Sequence, residues 1–184
     1  MTYLLRCAAL LLVLSLSACG SVYESAPRPS GKGLAYALGA AEGPPRIVPT
    51  NAPLQCVPFA RQLSGIEIRG DAWTWWDSAA GRYARSPRPQ PGAVMVLSST
   101  SRVPLGHLAV VTRVLGPREV LVRHANWLNH GRIHLDTPVR DVSPGNDWSA
   151  VRVWYTPGRS LGARTYAVSG FVLPPRPGTL ISQS

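Results

Sequence analysis

The sequence predicts an α+β domain in which N-terminal helices pack on an antiparallel β-sheet of about five to six strands. Two helix-like segments come first along the chain, and apolar or alternating runs typical of strands follow them. Turn signals rich in glycine, proline and asparagine separate those runs. Helices grouped before the strands, rather than alternating with them, favour an antiparallel sheet with helices against it.

The first predicted helix runs from Cys56 to Leu63 and stops at Gly65. Pro58 lies in its first turn, where the missing backbone N–H leaves no hydrogen bond unmade. This helix therefore begins on a cysteine.

The second predicted helix covers residues 72–80. Trp73, Trp76 and Ala80 are three and four residues apart, so they share one face, which we expect to belong to the core. Trp75 faces elsewhere and is the better candidate for contact with a substrate.

The predicted strands follow residue 92. Some are continuous apolar runs, as in strands buried on both faces, and others alternate between apolar and polar residues. They cover residues 93–97, 107–114, 119–124, 132–136, 150–155 and 166–173.

The N-terminus predicts export. The apolar run from Cys7 to Leu16 is shorter than the about 20 residues that span a bilayer, and it fits a signal peptide. Leu16-Ser17-Ala18-Cys19-Gly20 resembles the lipobox of bacterial lipoproteins, in which cleavage leaves Cys19 lipidated at the new N-terminus. The alternative is an ordinary signal peptide cut before an incidental Cys19. By the same resemblance, Gly20 favours an outer membrane lipoprotein facing the periplasm.

The domain organisation follows from these segments. We expect a lipoprotein signal peptide over 1–18, a flexible tether rich in Pro, Gly, Ala and Ser over 19–52, the domain over 53–173 and a disordered tail over 174–184. The chain has 184 residues, 45% of them hydrophobic, which suits one domain with a sizeable core.

The three cysteines have different fates. Cys7 leaves with the signal peptide and Cys19 would be acylated, so Cys56 is the one free thiol in an oxidising compartment. No internal disulfide is then possible. Cys56 is either a buried small hydrophobe or a nucleophile.

The charge restricts the partners. Removing residues 1–18 removes one arginine and no acid, so 18 basic and 9 acidic residues remain and the net charge is 18 − 9 = +9. Such a field attracts anionic cell-wall polymers and acidic lipid surfaces, although a basic composition throughout the organism would also account for it. No aromatic-basic recognition motif is present, so nucleic acid is not an expected partner.

A cysteine at a helix N-terminus faces unpaired N–H groups and the positive end of the helix dipole. Both would lower the pKa of Cys56 and make the thiolate available. The same N–H groups could hold the oxyanion of a tetrahedral intermediate, with Gln55 adding a side-chain donor. Gln55 is equally consistent with an exposed polar residue of no special role.

Four histidines are candidates for the base that serves this thiol. His107 opens a predicted strand, and His124 closes the next one. We expect His130, in a turn, and His134, in an edge-like strand, to be solvated. These last two are spaced as His-x-x-x-His, but Gly131 stands where a zinc protease needs Glu, and four residues of strand separate them by roughly 13 Å. No metal or cofactor is therefore expected.

The ordered set of Gln55-Cys56, Gly106-His107-Leu108-Ala109-Val110-Val111 and Val122-Arg123-His124-Ala125-Asn126-Trp127 resembles the CHAP family of cysteine, histidine-dependent amidohydrolases/peptidases. The separations are 51 residues from Cys56 to His107 and 17 from His107 to His124. The resemblance runs from about residue 54 to residue 155 and implies the papain-like CHAP fold.

The resemblance also implies roles. Cys56 is the nucleophile and His107 the base, and Trp127 joins Trp75 as a candidate for substrate binding. The residue that orients the base is usually Glu, with Asn two positions later; here these positions hold His124 and Asn126. His124 is favoured by position, and Asn126 is the alternative, as a neutral acceptor like that of Cys-His-Asn proteases.

The family cleaves amide bonds of peptidoglycan, so the expected activity is that of an N-acetylmuramoyl-L-alanine amidase or a peptide endopeptidase. Because His124 replaces a carboxylate, the alternative is an inactive wall-binding module of the same fold. A further reading is a cysteine amidase or peptidase that acts on a small exported amide.

Overall fold

The computed structural model describes residues 44–128 and 130–175 of the chain. The predicted signal peptide, most of the predicted tether and residues 176–184 of the predicted tail lie outside the described residues. In the part of the chain that is described, no helix combines the length and the apolar character needed to cross a membrane.

The described chain is mostly β, with two short α-helices. The helices are α1 (Cys56–Ser64) and α2 (Trp75–Ser78), and single 3-10 turns cover Ala72–Thr74 and Thr156–Gly158. The strands are β1 (Arg46–Val48), β2 (Arg85–Ser86), β3 (Val94–Leu97), β4 (His107–Gly116), β5 (Glu119–Ala125), β6 (Ile133–Asp141), β7 (Ala150–Tyr155) and β8 (Ser160–Val172).

Strands β3 to β8 close into a six-stranded antiparallel barrel. Each pairs with the next along the chain, and β8 returns to β3, with Met95 opposite Phe171. The predicted α+β class, with N-terminal helices packed on an antiparallel sheet of about five to six strands in a papain-like CHAP fold, is therefore wrong. A closed barrel leaves no edge strand in its ring.

The barrel closes through segments that the sequence does not mark as strands. β6 was expected to end at residue 136, but its last residues pair with β7, as in Val139 opposite Val153. Pro138 has no N–H to donate, and proline is uncommon inside strands. The sequence therefore does not indicate that the strand continues through this residue. β8 begins at Ser160, and its polar first half pairs with β7 as well. Strands of the predicted lengths would have left β7 without β6 and with only Tyr166 and Ala167 of β8 beside it.

Two cores lie on the two faces of the barrel wall. Inside the barrel, Met95, Val122, Trp148 and Phe171 belong to one buried cluster. Outside it, α1 and the segment around α2 cover the other face of β3 and β4, in a second cluster that includes Phe59, Leu63, Trp75, Val96 and Leu108. Because both faces of β3 and of the first half of β4 are buried, these stretches are continuous apolar runs.

Helix α1 ends as the sequence predicts. Gly65 adopts the left-handed conformation, with φ 73°, and its N–H donates to the carbonyl oxygen of Arg61. Strand β1 instead lies within the predicted tether and pairs with β6, so residues 46–48 are part of the domain.

The predicted second helix is a 3-10 turn followed by the four residues of α2. A 3-10 turn has three residues per turn, fewer than an α-helix. Each side chain that follows it therefore points to a different face from the one expected for a continuous α-helix. Trp75 is consequently fully buried, while Trp73 is 45% exposed. The expected core position of Trp73 and the expected substrate contact of Trp75 are both wrong.

Candidate functional site

The predicted site residues meet at one rim of the barrel. Cys56 is the first residue of α1 and His107 the first residue of β4, while His124 lies near the end of β5. Because β4 and β5 are antiparallel neighbours, the start of one and the end of the other lie at the same rim. Helix α1 packs outside the wall, so the thiol approaches this rim from the helix side.

Cys56 is half-buried. Backbone N–H groups of Leu108, of Val57 and of Cys56 itself act on its sulfur and lower the pKa of the thiol. Leu108 follows His107 in β4, so the contact places the sulfur beside the strand that carries the predicted base.

The ionisation of Cys56 differs from the expectation. Burial raises the pKa of the thiol above its ordinary value, and this effect outweighs the lowering by the three N–H groups. Removing a thiolate from water disfavours its charge more than these backbone dipoles favour it. The predicted thiolate at the helix tip is therefore wrong, and the resting group is a neutral thiol.

His107 and His124 form a buried imidazole pair. His107 Nε2 and His124 Nδ1 are 2.9 Å apart, and the two side chains are 5% and 1% exposed. Burial lowers the pKa of His107 to about 3, with a further contribution from His134. Burial also lowers the pKa of His124 well below its usual value. Both rings are neutral near pH 7, so one donates and the other accepts.

His134 is buried rather than solvated, which corrects the sequence prediction. It is 1% exposed and lies directly across from His124 in the β5–β6 pairing. The two ring centroids are 5.1 Å apart. The prediction failed because β1 covers this end of β6, with Ile47 opposite His134, so the strand is not an edge. His130, in contrast, is exposed as expected.

Asn126 is turned away from the base. It has a positive φ of 60°, its Nδ2 donates to Gln55 Oε1 at 2.7 Å, and its Oδ1 accepts from the N–H of Gly131 at 3.1 Å. Both ends of the amide are thus engaged. Of the two candidates for orienting His107, His124 is the one that contacts it.

Trp127 and Tyr166 form an aromatic wall beside the imidazole pair. The Trp127 ring lies 4.8 Å from that of His107 and 5.5 Å from that of His124, measured between centroids. Tyr166, on β8, contacts Trp127 at 5.0 Å. Tyr166 was not predicted, because the crossing of β8 over the site has no local signal in the sequence.

No curated protein matches the chain. The family model of the CHAP domain matches residues 48–126, a stretch that contains α1 through β5 and all four candidates Cys56, His107, His124 and Asn126. This part of the chain is thus similar to CHAP domains, a family that suggests a peptidoglycan hydrolase type of function.

Proposed function

We propose that the protein is a peptidoglycan hydrolase that cleaves an amide bond with Cys56 as nucleophile and His107 as base. The observation that carries this proposal is the buried hydrogen bond between His107 and His124 at the rim where the Cys56 sulfur lies. A thiol, an imidazole and a group that orients the imidazole are the parts that such a reaction requires.

The resting site is a neutral thiol beside a neutral imidazole, because the pKa of Cys56 is raised and that of His107 is lowered. His107 Nε2 is occupied by His124, which leaves Nδ1 as the acceptor for the thiol proton. Proton transfer then accompanies the attack of sulfur on the amide carbonyl carbon, rather than preceding it.

The remaining steps return every group to its starting state. His107 gives its proton to the leaving amine as the C–N bond breaks, which leaves a thioester on Cys56. Water then attacks the thioester carbonyl while His107 takes a proton from it. The acid product leaves, and the proton returns to the sulfur.

Backbone N–H groups at the start of α1 and the carboxamide of Gln55 are suited to hold the oxyanion. Gln55 Oε1 already accepts from Asn126 Nδ2, so the nitrogen of the Gln55 amide is the end available to donate. We therefore give Asn126 the role of orienting Gln55, with His124 orienting His107.

The sequence supports an envelope location for this chemistry. A lipid on Cys19 and an outer membrane position would hold the domain near its polymer, with a tether of roughly 30 residues reaching about 30 Å as a coil. The net positive charge of the chain favours contact with an anionic polymer.

Digestion of purified sacculi tests the proposal. Mass spectrometry of the products should reveal new termini with the wild type and none with Cys56→Ala or His107→Ala, while the exposed-histidine control His130→Ala keeps full activity. The masses of the released products distinguish cleavage between sugar and peptide from cleavage within the peptide. Activity on soluble peptide amides but not on sacculi would instead favour a small exported amide as the substrate.

The second candidate function is an inactive wall-binding module. The neutral thiol–imidazole pair and the histidine in place of a carboxylate favour it. Under this function the wild type and Cys56→Ala would sediment with sacculi equally, and neither would release products.

A further inference from the structure

We propose that His134 is a positioning residue that, together with His124, replaces the carboxylate usual in such sites. It holds the ring of His124 with Nδ1 toward His107. This inference rests on the proposed function for its kinetic consequence, but the arrangement it describes is independent of catalysis.

The need for such a residue follows from the chemistry of imidazole. A carboxylate has two equivalent oxygens, so it presents an acceptor whichever way the group itself is turned. A neutral imidazole has one lone pair, two tautomers and two ring orientations. Only the tautomer with its proton on Nε2, in one of the orientations, presents an acceptor to His107 Nε2. A histidine at position 124 can therefore orient His107 only when its own ring orientation and tautomer are fixed by a neighbouring group.

His134 is placed to do this. It is the cross-strand partner of His124, and both side chains are 1% exposed. The ring planes meet at 66° with centroids 5.1 Å apart, an edge-to-face arrangement in which a ring flip would disturb the packing. Trp127 contacts the same ring of His124, so that ring lies between two aromatic neighbours.

The polar atoms of the pair agree with this role. His124 Nε2 and both ring nitrogens of His134 are buried without a hydrogen-bond partner among the described residues. No hydrogen bond therefore joins the two rings, and His134 acts on His124 through the packing of its ring. In the described part of the chain, no group of three or more His, Cys, Asp or Glu is placed to hold a metal ion.

The charges around His134 keep it neutral. The groups that act on it and its neighbours are His107 on β4, His124 on β5 and Arg132 just before β6. Burial, with the charge of Arg132, lowers the pKa of His134 to about 4. A neutral His134 can support a neutral His124. It disfavours the protonation of His107 only where His134 is itself charged, below its own pKa of about 4.

Nitrogen-15 NMR of the imidazoles tests the arrangement without any substrate. In the wild type we expect His124 in a single tautomer, protonated on Nε2. His134→Ala, which removes the packed ring, should give a mixture of tautomers, and His134→Phe, which keeps a ring at this position, should retain the single one. A wild-type His124 protonated on Nδ1, or an unchanged tautomer in His134→Ala, would overturn the proposal. The wild-type spectrum decides even if a variant does not fold.

A double-mutant cycle separates positioning from a merely structural role. We expect His134→Ala to lower kcat on sacculi roughly three- to tenfold at unchanged KM, the factor for one weakened hydrogen bond between His124 and His107. In a His124→Glu background, whose carboxylate needs no fixed tautomer, the same change should leave kcat unaltered. Equal losses in both backgrounds would contradict the proposal. His130→Ala, at an exposed position, is the control. If neither the wild type nor any variant cleaves sacculi, the proposed function is wrong. The NMR experiment then still tests the arrangement of His124 and His134 independently.

Discussion

Two opposing effects act on the Cys56 sulfur. Backbone N–H groups of α1 and β4 stabilise the thiolate, and burial against the barrel wall destabilises it. The balance favours the thiol, so a helix N-terminus is not sufficient to activate a cysteine when the sulfur is also withdrawn from water. Any reactivity of Cys56 then depends on proton removal by His107 during attack.

This balance predicts the pH dependence of alkylation. The raised pKa means that the thiolate fraction of Cys56 at neutral pH is smaller than that of an ordinary cysteine. We expect iodoacetamide to label Cys56 slowly at pH 7 and increasingly fast above pH 9, as followed by mass spectrometry of the peptide containing residue 56. Fast labelling at pH 6 that is independent of pH would instead indicate an ion pair with His107.

The buried histidines predict a loss of stability in acid. The pKa of His134 falls from 6.5 in the unfolded chain to about 4 in the folded protein, and that of His107 to about 3. Above pH 6.5 both states are neutral and the stability is full. As the pH falls from 6.5 toward 4 the unfolded chain takes up protons first, which lowers the free energy of unfolding by on the order of 3 kcal/mol for His134.

Urea unfolding at several pH values measures this loss. His134→Gln should make the free energy of unfolding depend less on pH between 6.5 and 4. The exposed-site variant His130→Gln should leave the dependence unchanged, and an identical slope in His134→Gln and wild type would contradict the assignment.

Among the elements, the start of β4 has a tight backbone constraint. Gly106 has a φ of +68°, and a Cβ there would lie 2.6 Å from the carbonyl oxygen of Leu97 and 2.7 Å from the nitrogen of Trp73. The N–H of Trp73 also donates to the carbonyl oxygen of Leu105. These contacts fix the backbone immediately before His107.

Gly106→Ala should therefore destabilise the fold and displace the base. We expect a loss of roughly 1–3 kcal/mol in the free energy of unfolding, because the residue would be both strained and overpacked. The matched control is Gly116→Ala at the other end of β4, where a Cβ would meet no described atom within 4 Å. Unfolding in urea and hydrolysis of sacculi give the two readouts, and equal stability of both variants would refute the constraint.

The local elements near the site were largely predictable. The periodicity and stop signals placed α1 within one residue of its observed end, and the apolar runs placed β3, β4, β5 and β7 closely. These elements are encoded by residues adjacent in sequence. The prediction of the second helix was wrong because this segment begins with a 3-10 turn, which changes the direction in which the following side chains point. Local helix propensity does not indicate such a turn.

At the scale of the whole molecule, the barrel depends on β8 for closure. This strand pairs with β7 along its first part and with β3 along its second. Phe171, fully buried, packs its ring against Trp148 in the barrel interior at 5.9 Å. Removing β8 would expose that interior and two strand edges at once.

A chain that ends at residue 155 should consequently fail to fold, even though it contains the whole stretch that matches the CHAP family. Dispersion of amide signals in two-dimensional NMR measures this, with a chain ending at residue 175 as the folded control. A well-dispersed spectrum from the shorter chain would show that the barrel is not the unit of stability.

A smaller change tests the same core. Phe171→Ala should lower the free energy of unfolding by about 3–5 kcal/mol, the range for removing a buried aromatic side chain. Tyr155→Ala, at a site that is 46% exposed, should change it by much less. Thermal unfolding followed by circular dichroism gives the comparison, and similar effects of the two changes would mean that the interior is poorly packed.

The sequence by itself determined which residues are candidates for the chemistry. Cys56 at a helix start, His107 at a strand start and His124 near the end of the next strand are local features. The two histidines meet at one rim because the start of a strand lies beside the end of its antiparallel neighbour. Only the tertiary structure decided the closed barrel, the burial of His134 and Trp75, and the neutral state of the thiol. Each of these depends on what packs against a residue from distant parts of the chain, and the free energy of desolvation cannot be read from sequence spacing.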